Sequence, residues 1–293
     1  MMMEFHVFLP QIRVAPDVLV ERARAAEAAG FSGMVLMDHL TPPLAPDQPM
    51  YEAFVAATWL AAHTERLKIG HLVLCDGFRS PAVLARQVVS LDHLSGGRFE
   101  LGIGSGSVPD ELTTFGIETG TAGWRISRLG ETLEVLTRLW SGEPVHFEGR
   151  FHRIVGGRQL PTPTRPIPII VGGTGPRTME LVARYADWWN VPGNQSHRLD
   201  EMRAAAGKAR ISVQQVVAMV TDEASRHEVV KLAERRFGWM GSSSCAVGSG
   251  AELVEHFGRL SERAVERVYA WFTDFAVPET LERFGAEVIS ALG

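Results

Sequence analysis

Pro168-Ile169-Ile170-Val171-Gly172-Gly173-Thr174-Gly175-Pro176-Arg177 reads as a short apolar run, a glycine-rich turn and the opening of a helix. The run is too short for a helix, is bounded by Pro and Gly, and is rich in β-branched residues, so it predicts a buried strand. Pro176 then suits the first position of a helix, where its missing N–H costs nothing.

The same unit recurs in both directions along the chain. Strands are expected over 5–9, 33–37, 67–74, 99–103, 168–171, 188–191, 215–220 and 265–272. Amphipathic stretches over 17–29, 51–64, 81–93, 125–139, 177–185, 198–209, 225–237, 251–260 and 278–291 supply the intervening helices. Eight strands in strict alternation with helices predict an α/β fold, a parallel (β/α)8 TIM barrel. The rhythm breaks only over 143–165, a stretch of short aromatic, Gly- and Pro-rich pieces. It reads as an insertion between strands 4 and 5 that folds over the barrel mouth, within one domain spanning 1–293.

Composition narrows the function classes. With 45% hydrophobic and 22% charged residues the chain is ordinary for a globular protein. A formal net charge of -5 and no run of like charges argue against a nucleic-acid partner. The opening Met-Met-Met-Glu has no basic region and no long apolar run follows, which predicts a cytosolic chain with no membrane span. Cys75 and Cys245 are too few for a disulfide framework or a zinc set, and no H-E-x-x-H occurs, so no metal is expected.

In a barrel of this kind the chemistry sits just after the strands. After strand 5, Gly172, Gly173, Thr174 and Gly175 can bring backbone N–H groups and a helix N-terminus to an anion, with Arg177 adding charge. An ordinary tight turn is the competing reading. After strand 2, His39 can exchange a proton with a bound ring, and Asp38 can set its tautomer if the turn bends enough for the two to touch. After strand 4, Gly104, Ser105, Gly106 and Ser107 allow a flat ligand to approach closely. Asp110 and Glu111 follow as proton acceptors or helix caps. Cys75 lacks a base partner, Asp76 is a candidate polar group at the mouth, and Trp188-Trp189-Asn190 can wall a pocket. Ser95-Gly96-Gly97-Arg98 precedes strand 4 and should turn the chain at the opposite face.

Phe8-Leu9-Pro10-Gln11, Asp38-His39, Leu94-Ser95-Gly96-Gly97-Arg98-Phe99, Leu101-Gly102-Ile103-Gly104-Ser105-Gly106, Glu111 with Phe115-Gly116, and Ile170-Val171-Gly172-Gly173 stand in one order over nearly the whole chain. In this they resemble the bacterial luciferase-like monooxygenase superfamily, and within it the branch of oxidoreductases using the deazaflavin coenzyme F420. The resemblance implies a hydride transfer between F420 and a small organic substrate. It places the cofactor phosphate on Gly172, Gly173 and Thr174, His39 near the reactive ring, and a non-prolyl cis peptide at Leu72 and Val73. It also implies a homodimer, and leaves open a separate reductase that recharges the cofactor. Ser107 departs from the pattern, since sugar-phosphate dehydrogenases of the family carry glutamate there, which argues against a sugar-phosphate substrate. An FMN-dependent monooxygenase and a non-catalytic flavin-binding protein are the alternatives.

Overall fold

Most strands carry the short apolar run that parallel pairing demands, buried on both faces. In a computed structural model describing residues 2–241 and 244–293, β1 (Glu4–Phe8), β2 (Gly33–Leu36), β3 (Lys68–His71, continued as Leu74–Cys75) and β4 (Phe99–Gly104) form the first half of the barrel. The second half comprises β5 (Ile169–Gly172), β6 (Trp188–Pro192), β7 (Arg210–Met219) and β8 (Val265–Phe272). All pair in parallel with their neighbours in chain order, and β8 returns to β1 through Glu4↔Arg267 to Val7↔Ala270, closing the barrel. No helix among the described residues is long and apolar enough to cross a membrane.

Four expectations shift. The seventh strand starts at Arg210, five residues early, because its polar Arg210, Ser212 and Gln214 disguised a strand that pairs on both sides. Where β6 stops, an extra strand, Cys245–Gly248, takes its place beside Val216–Met219. The helix expected over 198–209 is broken into 3-10 turns around the single α-turn Leu199–Met202. Lastly, no residue of 143–165 lines the cavity at the mouth. The segment forms a hairpin, Val145–Glu148 with Arg153–Gly157, laid along the outer helix Ala122–Leu139, where Glu131 accepts from the amides of Arg150, Phe151 and His152. Its turn packs Phe151 edge-on against Trp124 in the first turn of that helix, ring centroids 5.0 Å apart.

Charge fills the lower barrel. Arg267, on β8, donates to Glu100 at 2.5 Å and Glu4 at 2.7 Å and stacks on Trp188 at 3.8 Å. Buried charges persist only when paired in this way. Ser95 and Arg98 close the same end: Arg98 donates to the carbonyls of Ala61, Leu67 and Ser95, and Gly96 and Gly97 take positive φ, as a chain reversal needs.

Two histidines in the barrel wall, His6 and His71, are held neutral, burial lowering each to about 4. Between pH 6.5 and that value the unfolded chain takes up protons that the folded chain refuses, so stability falls with falling pH. Urea midpoints measured from pH 7 to pH 5 should therefore decline, and His71→Asn should flatten the slope. An identical slope in the variant would remove His71 from this account.

Candidate active site

β2 ends at Leu36, and the turn that follows brings His39 to the barrel mouth. Glu111 reaches it from the short helix Pro109–Thr114 after β4. The His39 ring Nδ1 lies 2.9 Å from Glu111 Oε2, while Glu111 Oε1 accepts from the amides of Leu40 at 2.5 Å and Thr41 at 2.8 Å. An ionised carboxylate only accepts, so Nδ1 must carry the proton and Nε2 is left for another partner. Both residues line a cavity of about 1180 Å³.

Asp38 does not join this pair. Its side chain leaves the opposite face of the strand end and takes a two-pronged grip from Arg79, at 2.6 and 3.0 Å, together with the Cys75 amide at 2.9 Å. Arg79 also donates to Glu52 at 2.6 Å. Glu111, not Asp38, therefore sets the His39 tautomer. Asp76 is likewise no mouth group: it is buried against Arg128, 2.6 Å away. Burial pushes the Cys75 thiol up to about 11, which leaves it protonated and inert.

The Leu72–Val73 peptide is cis and both side chains line the cavity. Glycines on β4 make room for this bulge. A Cβ on Gly102 would stand 1.9 Å from the His71 carbonyl oxygen, and one on Gly104 would stand 2.8 Å from Val73 Cγ2. Ser105, Gly106 and Ser107 continue along the rim of the same cavity.

Across the barrel, Gly173 adopts φ +125°, and Gly175 caps the ten-residue helix Pro176–Tyr185 without a side-chain partner. Trp189 Nε1 donates to the Gly173 carbonyl at 2.8 Å, and the Gly173 amide to Asn190 O at 3.2 Å, which anchors the turn. The amides of Thr174 and Gly175 have no protein acceptor among the described residues, so they are available to an anion beside the helix end. Thr174 Oγ1 also contacts Gln195 and lies 3.4 Å from Arg198. Backbone donors, glycines on either side of Thr174 and an apolar wall at Leu72 and Val73 together fit a flavin-type cofactor.

Two expected site residues stand apart. Arg177 turns outward to the Gly123 carbonyl and the Ser127 hydroxyl, at 3.1 and 2.6 Å, because it begins the outer face of its helix. Asp110 is exposed and does not line the cavity. Arg198, Gln195, Arg79 and Trp271 were not foreseen, since each acts from a loop or strand whose sequence carries no motif.

The cavity exceeds the roughly 300–1,000 Å³ of a typical single-ligand pocket, leaving room for a cofactor and a second molecule. Fold and site thus define a (β/α)8-barrel protein with a glycine-rich turn of free amides on one wall and a carboxylate-held histidine on the other. The sequence profile of the luciferase-like monooxygenases matches residues 3–280, and the chain belongs to that family. It is 34% identical over 204 residues to an uncharacterised protein of Mycobacterium tuberculosis, covering 64% of this chain and 69% of that one. With the F420-dependent glucose-6-phosphate dehydrogenase of Microbacterium testaceum it shares 29% over 232 residues, 76% of this chain and 68% of that one. Among solved structures, an F420-dependent secondary alcohol dehydrogenase in complex with an F420-acetone adduct superposes with a TM-score of 0.85, covering 99% of both chains. At 18% identity that last likeness is one of fold.

Proposed function

We propose that the chain is an oxidoreductase that passes a hydride between coenzyme F420 and a small organic substrate at the barrel mouth. The observation that carries this reading is His39, fixed by Glu111 with Nε2 left to meet a ligand, in a cavity that also holds the Gly172 to Gly175 turn. The named F420-dependent relatives support the choice of cofactor. Once bound, the cofactor supplies the two-electron chemistry. The protein's own part is to hold and position. Amides of Thr174 and Gly175 take the phosphate, Leu72 and Val73 back the ring, and His39 gives or takes the substrate proton at Nε2. Glu111 is a positioning residue for His39, and the exposed Asp110 has no part in the chemistry.

Residues 1–293 form one catalytic domain in this reading, and two unpaired thiols, Cys75 and Cys245, suit a reducing cytoplasm. A homodimer is supported by the apolar outer face of the helices Ala53–His63 and Pro81–Leu94, where Val55, Trp59 and Val83 are exposed.

Fluorescence titration of the apoprotein separates the cofactors. Saturable F420 binding in the micromolar range is expected, with FMN binding at least tenfold weaker. Tight FMN binding with none for F420 would overturn the proposal and leave a flavin monooxygenase in its place.

A further inference from the structure

β1 and β5 are four strands apart in an eight-stranded barrel, so the wall facing the Gly172 to Gly175 turn is built from β1, β8 and the segments that flank them. Three arginines line the cavity on that side: Arg13 just after β1, Arg22 on the helix Pro16–Ala28, and Arg236 at the end of the helix Arg226–Phe237. None has a carboxylate within 4.0 Å among the described residues, although the chain as a whole is acidic. Asp274 acts on Arg22 and Arg236 only from beyond ion-pair distance, and itself accepts from the Ala276 amide at 3.0 Å and the Thr280 hydroxyl at 2.6 Å. The two cavity carboxylates are also spoken for, Asp38 by Arg79 and Glu111 by His39 and two amides.

Guanidinium groups that face a cavity without an ion-pair partner keep donors free for an anionic ligand. Burial, then Arg235 and Arg13, lower the affinity of the Arg236 guanidinium for its proton, Asp274 opposes them, and its Nη1 donates to the Thr273 carbonyl. The backbone adds a second sign. Arg13, Phe275 and Ala276 all adopt positive φ, at 54, 62 and 61°, and non-glycine residues in that region gather at ligand clamps. Beside the arginines stands an apolar surface: Phe275 under Arg236 at 4.9 Å, Phe237 edge-on to Trp271 at 4.8 Å, and the exposed Trp239. Trp271 Nε1 is buried with no hydrogen-bond partner among the described residues.

We propose that Arg13, Arg22 and Arg236 form an oxyanion-binding subsite, and that the substrate has an apolar body with a terminal carboxylate or similar anionic head. This deepens the functional reading above by naming the substrate class. The guanidinium fork fits a planar carboxylate in two-point contact, and the aromatic wall takes the body. An anionic arm of the cofactor carries the same chemistry, so the test must separate the two sources.

The holoprotein is titrated calorimetrically with 4-phenylbutyrate and with its uncharged analogue 4-phenylbutan-1-ol. The acid is expected to bind at least tenfold more tightly, with an affinity that falls as salt is raised. Arg13→Gln with Arg22→Gln removes two side chains that make no hydrogen bond among the described residues, so folding should be retained, as a thermal midpoint checks. In that variant the acid should lose at least tenfold while the alcohol and the cofactor stay within twofold. Arg236→Lys, which keeps the charge and loses the fork, should give an intermediate loss. Equal binding of acid and alcohol, or an unchanged affinity for the acid in the double variant, overturns the subsite. A loss confined to cofactor affinity assigns the arginines to the cofactor and overturns the substrate class. Repeating the titration on apoprotein keeps the result independent of which cofactor the protein takes, since the acid's preference should persist there.

Discussion

The His39→Ala variant is expected to lower turnover by about 10²- to 10⁴-fold, the usual range for removing a positioned proton-transfer group, with cofactor affinity nearly unchanged. The partner substitution is more informative. In Glu111→Gln the amide oxygen can still accept from Leu40 and Thr41, but its NH2 group then faces His39 Nδ1. The ring must answer by moving its proton to Nε2, and a neutral His39 can then no longer take a proton there. Turnover should fall by a large part of the His39→Ala loss, and the double variant should be no worse than His39→Ala alone, because the two residues act as a unit. Single-turnover rates across pH check this. Losses that multiply in the double variant would show Glu111 acting independently of His39.

The Gly102→Ala variant is expected to cost about 3 kcal/mol of stability, the upper end for forcing atoms into a packed interior. Its methyl would meet the backbone oxygen of His71 at 1.9 Å, and backbone cannot rotate aside as a side chain can. Relief requires β3 to part from β4, which displaces Leu72 and Val73 in the cavity wall, so cofactor affinity should fall together with the urea midpoint. Gly258→Ala is the control. That glycine sits in the helix Gly250–Glu262 with nothing within 4 Å of the added Cβ, and there alanine should stabilise by up to about 1 kcal/mol. Equal midpoints for the two variants would disprove the steric account.

What could be read from sequence was whatever repeats or turns. The strand rhythm revealed the barrel because buried parallel strands are nearly uninterrupted apolar runs, and Gly172 to Gly175 stood out because turns need residues that tolerate unusual backbone angles. The seventh strand was shortened because Arg210 and Ser212 look like loop, yet Arg210 stacks on Trp188 at 4.0 Å and Ser212 bonds to the β6 backbone. Pairings across the fold were less legible still. Asp38 adjoins His39 in the chain, but Arg79, 41 residues on, holds it, and Glu111, 72 residues from His39, does what adjacency suggested for Asp38. The arginines at the β1 wall come from three segments with no common motif, and only folding gathers them.

Gln11 closes the Phe8-Leu9-Pro10-Gln11 run that leaves β1. Its side chain donates to the Met37 and Tyr51 carbonyls at 2.7 and 3.1 Å and accepts from the Met37 amide at 3.2 Å, stitching the loop after β1 to the one after β2. Arg13 lies two residues beyond that stitch on one loop, and His39 two residues beyond it on the other. For a ligand gripped at Arg13, the span from its charged head to the atom facing His39 is thus set by one glutamine, a molecular ruler on which substrate chain length would be measured.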